Sequence, residues 1–281
     1  MHQHICKKAI RGTSLILVLC TTSLYGHAQK RDSIAVSSDS IHRIDEVVVS
    51  AKQMLGSKFE ASNRTGSAYY VSPKEIAKLG YTDISRMLRA VPGVNIYEED
   101  GFGLRPNISL RGTKAERSER ISLMEDGILA APAPYAAPAA YYFPNAARMH
   151  AIEVLKGSSQ VQYGPFTTGG AVNMVSTPIP NRFTAGLRTS FGSYNTFNAY
   201  TYLGNDTKHL GYVVEYLRYQ SKGFRRDEPD ERTGFYRNDI VGKLRWHTSD
   251  EASTSQALEL KLGFANEHSD ETYVGLSEAD F

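Results

Sequence analysis

Cysteine is nearly missing from this chain. The only two, Cys6 and Cys20, fall within the first twenty residues, so the rest has no disulfide framework and no thiolate metal site. Long apolar runs are missing as well. No segment approaches the roughly 20 apolar residues of a membrane-spanning helix. A membrane role would therefore have to be built from strands, because only helices and closed barrels satisfy the backbone in lipid. Charge of one sign is also lacking: 32 Lys and Arg face 30 Asp and Glu. That balance gives no support for a nucleic-acid partner. Catalytic signatures are absent too. There is no His-Glu-x-x-His, no Gly-x-Ser-x-Gly and no phosphate loop. Gly101 to Gly103 lacks the third glycine of a dinucleotide site, and "DEPDE" (227–231) lacks the glycine and spacing of a calcium loop. The reading is of a non-enzyme with no catalytic residue, no metal ligands and no resident cofactor.

What is present divides into regions. Residues 1–28 read as a secretory signal peptide: Lys7, Lys8 and Arg11 precede the apolar "SLILVLC", and cleavage is expected after Ala28. Residues 29–44 are polar and rich in Ser and Asp, the composition of a disordered tail. Next comes "DEVVVSA" (45–51), a β-branched run without an evident strand partner on either side. Residues 52–180 read as a compact α+β unit. "SPKEIAKLG" and "TDISRMLRAVPG" are capped short helices, and "NISLRG", "RISLMEDG", "RMHAIEVLKG" and "GAVNMVST" contain short strands.

From 181 to 281 the texture is different. Leu258, Leu260, Leu262 and Phe264 alternate with Glu259 and Lys261, while Ile240, Gly242, Leu244 and Trp246 alternate with Val241, Lys243, Arg245 and His247. Three further segments from 183 to 220 are strand candidates. Each segment is close to the ~9–11 residues with which a tilted strand crosses a bilayer. Short polar turns after the second and fourth strands, against a long charged loop after the third, are the pattern of an outer-membrane barrel. Alternation alone fits a soluble antiparallel sheet with one wet face equally well.

In order and spacing, "DEVVVSA", "ISRMLRAVPGV", "ISLRG", "ISLMEDGI" and "IEVLKGSSQVQYGPFTTGGAVNMVS" resemble the N-terminal part of TonB-dependent outer-membrane receptors. The resemblance runs from Asp45 to the end of the chain. It implies an α+β plug domain followed by the first antiparallel strands of a transmembrane β-barrel. The family has 22 strands, of which about five are expected here, as in an N-terminal fragment. It also implies a tail in the periplasm, a barrel in outer-membrane lipid, and import driven by TonB and its inner-membrane energising complex. The ligand would be a ferric chelate such as ferric citrate or a siderophore, with iron present only as part of the cargo. Cobalamin, haem or an oligosaccharide as ligand, and a soluble periplasmic binding module as the whole, stay open.

The resemblance also distributes roles. Asp45, Glu46, Val47, Val48, Val49 and Ser50 match the TonB box. Arg111, Glu153 and Lys156 match positions that lock plug to barrel wall through ion pairs, Lys156 standing where many relatives carry Arg. Gly164, Gly169 and Gly170 suit close backbone approach in a crowded lumen. Ligand contact is expected from outward loops carrying Arg105, Lys114, Arg117, Arg120, Tyr135, Tyr141 and Tyr142, and from Arg225 with Arg226. "APAPYAAP" and "HSDETYVGLSEADF" look most like the ferric-citrate branch. However, Ala137 and Ala139 stand where that branch has ligand-reaching glutamines, which weighs against citrate. Residues 29–44 are too few for the extra signalling domain of some members, about 80 residues long.

Overall fold

The structure is a computed structural model describing residues 53–80, 82–98, 100–130, 142–157, 161, 163, 168–224, 233–249 and 254–270. The expected signal peptide, polar tail and Asp45–Ser50 segment lie outside the described residues, as do Gly164, Tyr135, Tyr141, Arg225 and Arg226.

The α+β unit begins with local capping. Ser57 accepts the Glu60 amide and starts α1 (Lys58–Asn63). After β1 (Ser67–Val71), α2 (Pro73–Leu79) opens in a reciprocal capping box between Ser72 and Glu75 and stops at Gly80. Asp83 caps α3 (Ile84–Leu88) by accepting the Ser85 amide at 2.7 Å. β2 (Val94–Tyr97) and β3 (Asn107–Leu110) form a separate two-stranded sheet. β4 (Ile121–Glu125), β5 (Ile128–Leu129), β6 (Met149–Lys156) and β7 (Gly170–Ser176) join β1 in the order β1-β6-β7-β4-β5. The β4–β7 pair is parallel and the others are antiparallel.

Alternation along these strands builds two cores. Ile121, Leu123, Ile152, Val154, Val172 and Met174 pack with Ile76, Ile84, Met87 and Leu88 of the helices. On the opposite face Met124, Leu155 and Ala171 meet Met54 and Leu55, from the chain just before α1. Gly170 opens β7 where its neighbours leave no room for a side chain. A Cβ there would stand 2.2 Å from Leu110 Cδ1 and 2.4 Å from the Leu155 carbonyl oxygen. Gly170→Ala is therefore expected to destabilise the unit by about 3 kcal/mol through overpacking against backbone. A denaturant titration comparing the variant with wild type checks this.

The second sheet is larger. β8 (Thr184–Gly192), β9 (Thr196–Asp206), β10 (Leu210–Ser221), β11 (Phe235–His247) and β12 (Ala257–Ser269) follow one another in space as in sequence, each antiparallel to the next. Turn 193–195 and loop 222–234 lie at one end, and 207–209 and 248–256 lie at the other. The expected contrast of loop length is thus only partial: 193–195 is as short as 207–209, and 222–234 is only a few residues longer than 248–256.

Register sets the faces. Leu258, Trp246 and Leu210 form one cross-strand row, followed by Leu260–Leu244–Tyr212, Leu262–Gly242–Val214–Leu203 and Phe264–Ile240–Tyr216–Thr201–Leu187. This face is turned outward: Leu258 is 71% exposed, and Leu262 and Phe264 are each 65% exposed. The next row, Asn266–Asn238–Arg218–Ala199–Thr189, is mostly polar. The apolar rows span about 20 Å along a strand at ~3.3 Å per residue. The opposite face buries Glu215, Arg237, Asp239 and Lys243. A soluble sheet turns its apolar face inward; this one is reversed, with an apolar band outside and charge inside, as in outer-membrane barrels. Among the described residues no helix is long and apolar enough to cross a membrane.

Candidate functional site

The charged inner face of the large sheet meets the α+β unit at a turn. Asp126 and Gly127 connect β4 to β5, with φ of 53° and 78°. Positive φ at both central residues is what a two-residue hairpin turn of this hand demands, and Asp-Gly supplies it. The turn delivers two carboxylates to the large sheet. Asp126 accepts from the Ser176 amide at 2.9 Å, from Ser176 Oγ at 2.5 Å and from Lys261 Nζ at 2.6 Å, with Lys243 Nζ 3.7 Å away. Glu125 takes a bidentate pair from Arg148, at 2.6 and 2.9 Å, and a third bond from Lys261 at 2.6 Å.

Arg148 is only 1% exposed. A short 3-10 turn (Ala146–Arg148), capped by Asn145, places it. Its Nη2 also donates to Tyr142 Oη at 2.7 Å, and its Nε lies 3.7 Å from Asp239. Across the Tyr142 ring, 5.4 Å from its centroid, stands Arg237, which pairs with Asp239 at 2.9 Å and Glu267 at 3.2 Å. Lys243 donates to the Thr177 carbonyl at 2.8 Å. Arg105 reaches Glu267 at 3.1 Å and Ser269 at 3.3 Å. Below this charged layer Leu104 and Phe102 pack on Tyr200, Leu217, Tyr219 and Phe235.

Mutual satisfaction makes the layer tolerable inside the fold, since buried charge is costly unless paired. Burial alone would raise Asp126, but Lys243, Lys261 and Ser176 outweigh it and bring the carboxyl down to about 2. Glu125 is likewise lowered, Arg148 and Lys261 overcoming its burial. Burial opposes the Arg148 charge, but Glu125 more than offsets it and the pKa is raised. Two clefts open beside the layer. One of about 450 Å³ adjoins Glu125, Asp126, Arg148, Asp239 and Lys261. Another of about 230 Å³ lies among Arg105, Tyr142, Arg237 and Glu267. Arg148 Nε, Arg237 Nη2 and Asp239 Oδ2 are buried without a hydrogen-bond partner among the described residues, so water or a polar ligand group has atoms to bind there. Among the described residues no group of three or more His, Cys, Asp or Glu is arranged to hold a metal ion.

Residues 60–171 match the family model of the TonB-dependent receptor plug domain. The chain carries a TonB-dependent receptor plug domain. It is 24% identical over 247 residues to the vitamin B12 transporter BtuB of Vibrio vulnificus strain YJ016, covering 85% of this chain and 36% of that protein. Among solved structures it is similar to the unliganded ferric citrate transporter FecA, with a TM-score of 0.64 at 24% identity over 80% of this chain and 34% of that one. It is also similar to the siderophore receptor PirA of Acinetobacter baumannii, with a TM-score of 0.59 at 21% identity over 76% and 33%. The chain spans about a third of the length of the relatives it matches. The likeness covers both parts of the fold: plug, and wall strands β8–β12.

The expected lock residues sit elsewhere than the wall layer. Glu153 is fully buried, accepting backbone amides of Met54, Leu55 and Gly56 and the Asn173 side chain. Lys156 donates to the Pro92 carbonyl at 2.6 Å. Arg111 lies against Gly157, its Nη1 2.4 Å from where a Cβ would stand, and burial together with Arg111 lowers the Lys156 pKa. Among the described residues the plug–wall ion pairs come from Glu125, Asp126, Arg148 and Arg105.

Of the expected ligand residues, the structure brings Arg105 and Tyr142 to the wall layer. Lys114, Arg117 and Arg120 are exposed, with Lys114 paired to Glu116 and Arg120 Nε 3.4 Å from Glu119. A signal for the wall partners was in the sequence: Lys243 and Lys261 alternate with the apolar residues of their strands, and a charge on an inward face must find a partner.

The layer is pH-sensitive in one direction. The folded pKa of Asp126, about 2, lies below its ordinary value of 3.8. Its stabilising contribution is therefore complete above pH 4 and is lost as pH falls through 2. It amounts to on the order of 2 kcal/mol. Asp126→Asn should flatten the acid limb of the stability profile between about pH 4 and 2, which acid titration of unfolding checks.

Proposed function

We propose that these residues belong to an outer-membrane receptor that imports a scarce chelated ligand, with the plug occupying the lumen and TonB supplying the energy mechanically. The observation that carries the reading is the reversed sheet: strands β8–β12 turn an apolar band outward and bury Arg237, Asp239 and Lys243 against the plug. No covalent chemistry is assigned to the chain, and iron travels as part of the cargo rather than as a cofactor. Asp45 to Ser50 is the proposed TonB box, an extended segment that adds to an edge of the partner in the periplasm. Arg111 and Lys156, side by side, keep the proposed lock role, toward carboxylates of wall strands other than those described. Arg105, Arg117, Arg120, Tyr135 and Arg225 are the proposed ligand contacts; guanidinium and phenol groups suit an anionic chelate.

The proposed ligand is a ferric chelate, citrate or a siderophore, supported by the ferric citrate transporter and siderophore receptor among the similar folds. A cobalamin ligand is the second reading, favoured by the likeness to a vitamin B12 transporter. Uptake of radiolabelled ferric citrate, ferric siderophores and cobalamin is to be measured in iron-starved cells with and without the receptor. Receptor-dependent iron uptake is expected. Iron uptake indifferent to the receptor, with cobalamin uptake dependent on it, would replace the first ligand by the second.

A further inference from the structure

The plug hides a carboxylate that makes no ion pair among the described residues. Glu153 stands in the centre of β6, and its side chain enters the core beneath Met54 and Leu55. Its two oxygens accept three consecutive backbone amides, Met54 at 2.7 Å, Leu55 at 3.0 Å and Gly56 at 2.8 Å. A fourth bond comes from Asn173 Nδ2 at 2.8 Å, across the β6–β7 register. Oδ1 of the same Asn173 accepts the Gly127 amide at 2.9 Å. Gly127 belongs to the turn whose Asp126 binds Lys261 of the wall. Hydrogen bonds, with the Asp126–Gly127 peptide link as the one covalent step, thus join the start of the plug to the wall: Met54–Gly56, Glu153, Asn173, Gly127, Asp126, Lys261.

We propose that Glu153 is a latch, holding the N-terminal threshold of the plug closed through three backbone amides and coupling it, through Asn173, to the turn that is ion-paired to the wall. Three donors converging on one carboxylate give way together, because a buried anion left with one donor must be rehydrated. The one donor left is Asn173, which shifts with the rehydrated carboxylate and so disturbs its bond from Gly127. The latch regulates the import reading above and rests on it for its purpose: Ser50 lies four residues before Met54 in sequence, so a pull on the proposed TonB box reaches these three amides early.

Amide hydrogen exchange in the full-length receptor tests the latch with neither ligand nor TonB, so its failure would leave the import reading intact. Glu153→Gln keeps the shape but replaces one acceptor by a donor. Exchange at Met54–Gly56 should rise about tenfold, and Gly127 should follow. Unchanged exchange at 54–56, a rise there without one at Gly127, or an equal rise throughout β6 and β7 would overturn the proposal. Asn173→Ala provides the second arm, should the first variant fail to assemble. It should accelerate Gly127 while leaving Met54–Gly56 within about twofold, and no change at Gly127 would overturn the coupling. Conversely, the exchange pattern expected here, found in a receptor that imports nothing, would keep the latch and remove the import reading.

Discussion

Val48→Pro should reduce energised uptake to the level of cells without TonB while leaving ligand binding unchanged. The segment "DEVVVSA" is rich in β-branched residues, which favour extended backbone, and has no strand partner beside it in the sequence. Under the proposed function its partner is an edge of TonB, and main-chain bonds supply the affinity. Proline at its centre removes one ladder N–H and fixes φ. That costs on the order of 2–3 kcal/mol of pairing, roughly a 50-fold loss. Ligand binding is measured on the same receptor in de-energised cells. Uptake that survives the substitution would make 45–51 an ordinary plug strand.

Arg148→Met should destabilise the plug within the receptor by about 3–5 kcal/mol, the cost of removing one partner of a buried pair. The variant fills the volume but leaves Glu125 with Lys261 alone, takes the donor from Tyr142 Oη, and leaves Asp239 with Arg237 as its near cation. Adding Glu125→Leu should recover most of the loss, because replacing both members of such a pair by apolar groups is close to neutral. Denaturant titration of the purified receptor carries the comparison. Equal stability of the single and double variants would show that the Arg148–Glu125 pair is not the source of the effect.

Much of the architecture could be read from local chemistry. Ser72 and Glu75 announce α2, Asp83 announces α3, and strict alternation around Leu258–Phe264 and Ile240–Trp246 marks β12 and β11. α1 escaped because it buries no residue and so has no apolar stripe. β1 escaped because "SAYYV" is only five residues long and shows no regular alternation of apolar and polar residues.

The charged layer was less accessible, for a different reason. Lys261 and Asp126 are 135 residues apart, and nothing local specifies which inward lysine meets which plug acid. Glu153 illustrates the same limit. Its burial beside Asn173 follows from alternation in β6 and β7, but its donors are backbone amides, which every residue except proline carries. The resemblance of "IEVLKG" to a lock motif therefore marks Glu153 without specifying the backbone donors that it holds.

The central claim is that β8–β12 face lipid on one side and the plug on the other. Single nitroxide labels at Leu262 and Leu244, on the outward face, and at Lys243 and Asp239, on the inward face, test it most directly. Collision with a lipid-soluble relaxant is measured against a water-soluble one, using the receptor reconstituted in bilayers. The account predicts that lipid contact dominates at Leu262 and Leu244 and is absent at Lys243 and Asp239. Water contact at Leu262 and Leu244, in a protein recovered soluble from the periplasm, would contradict it.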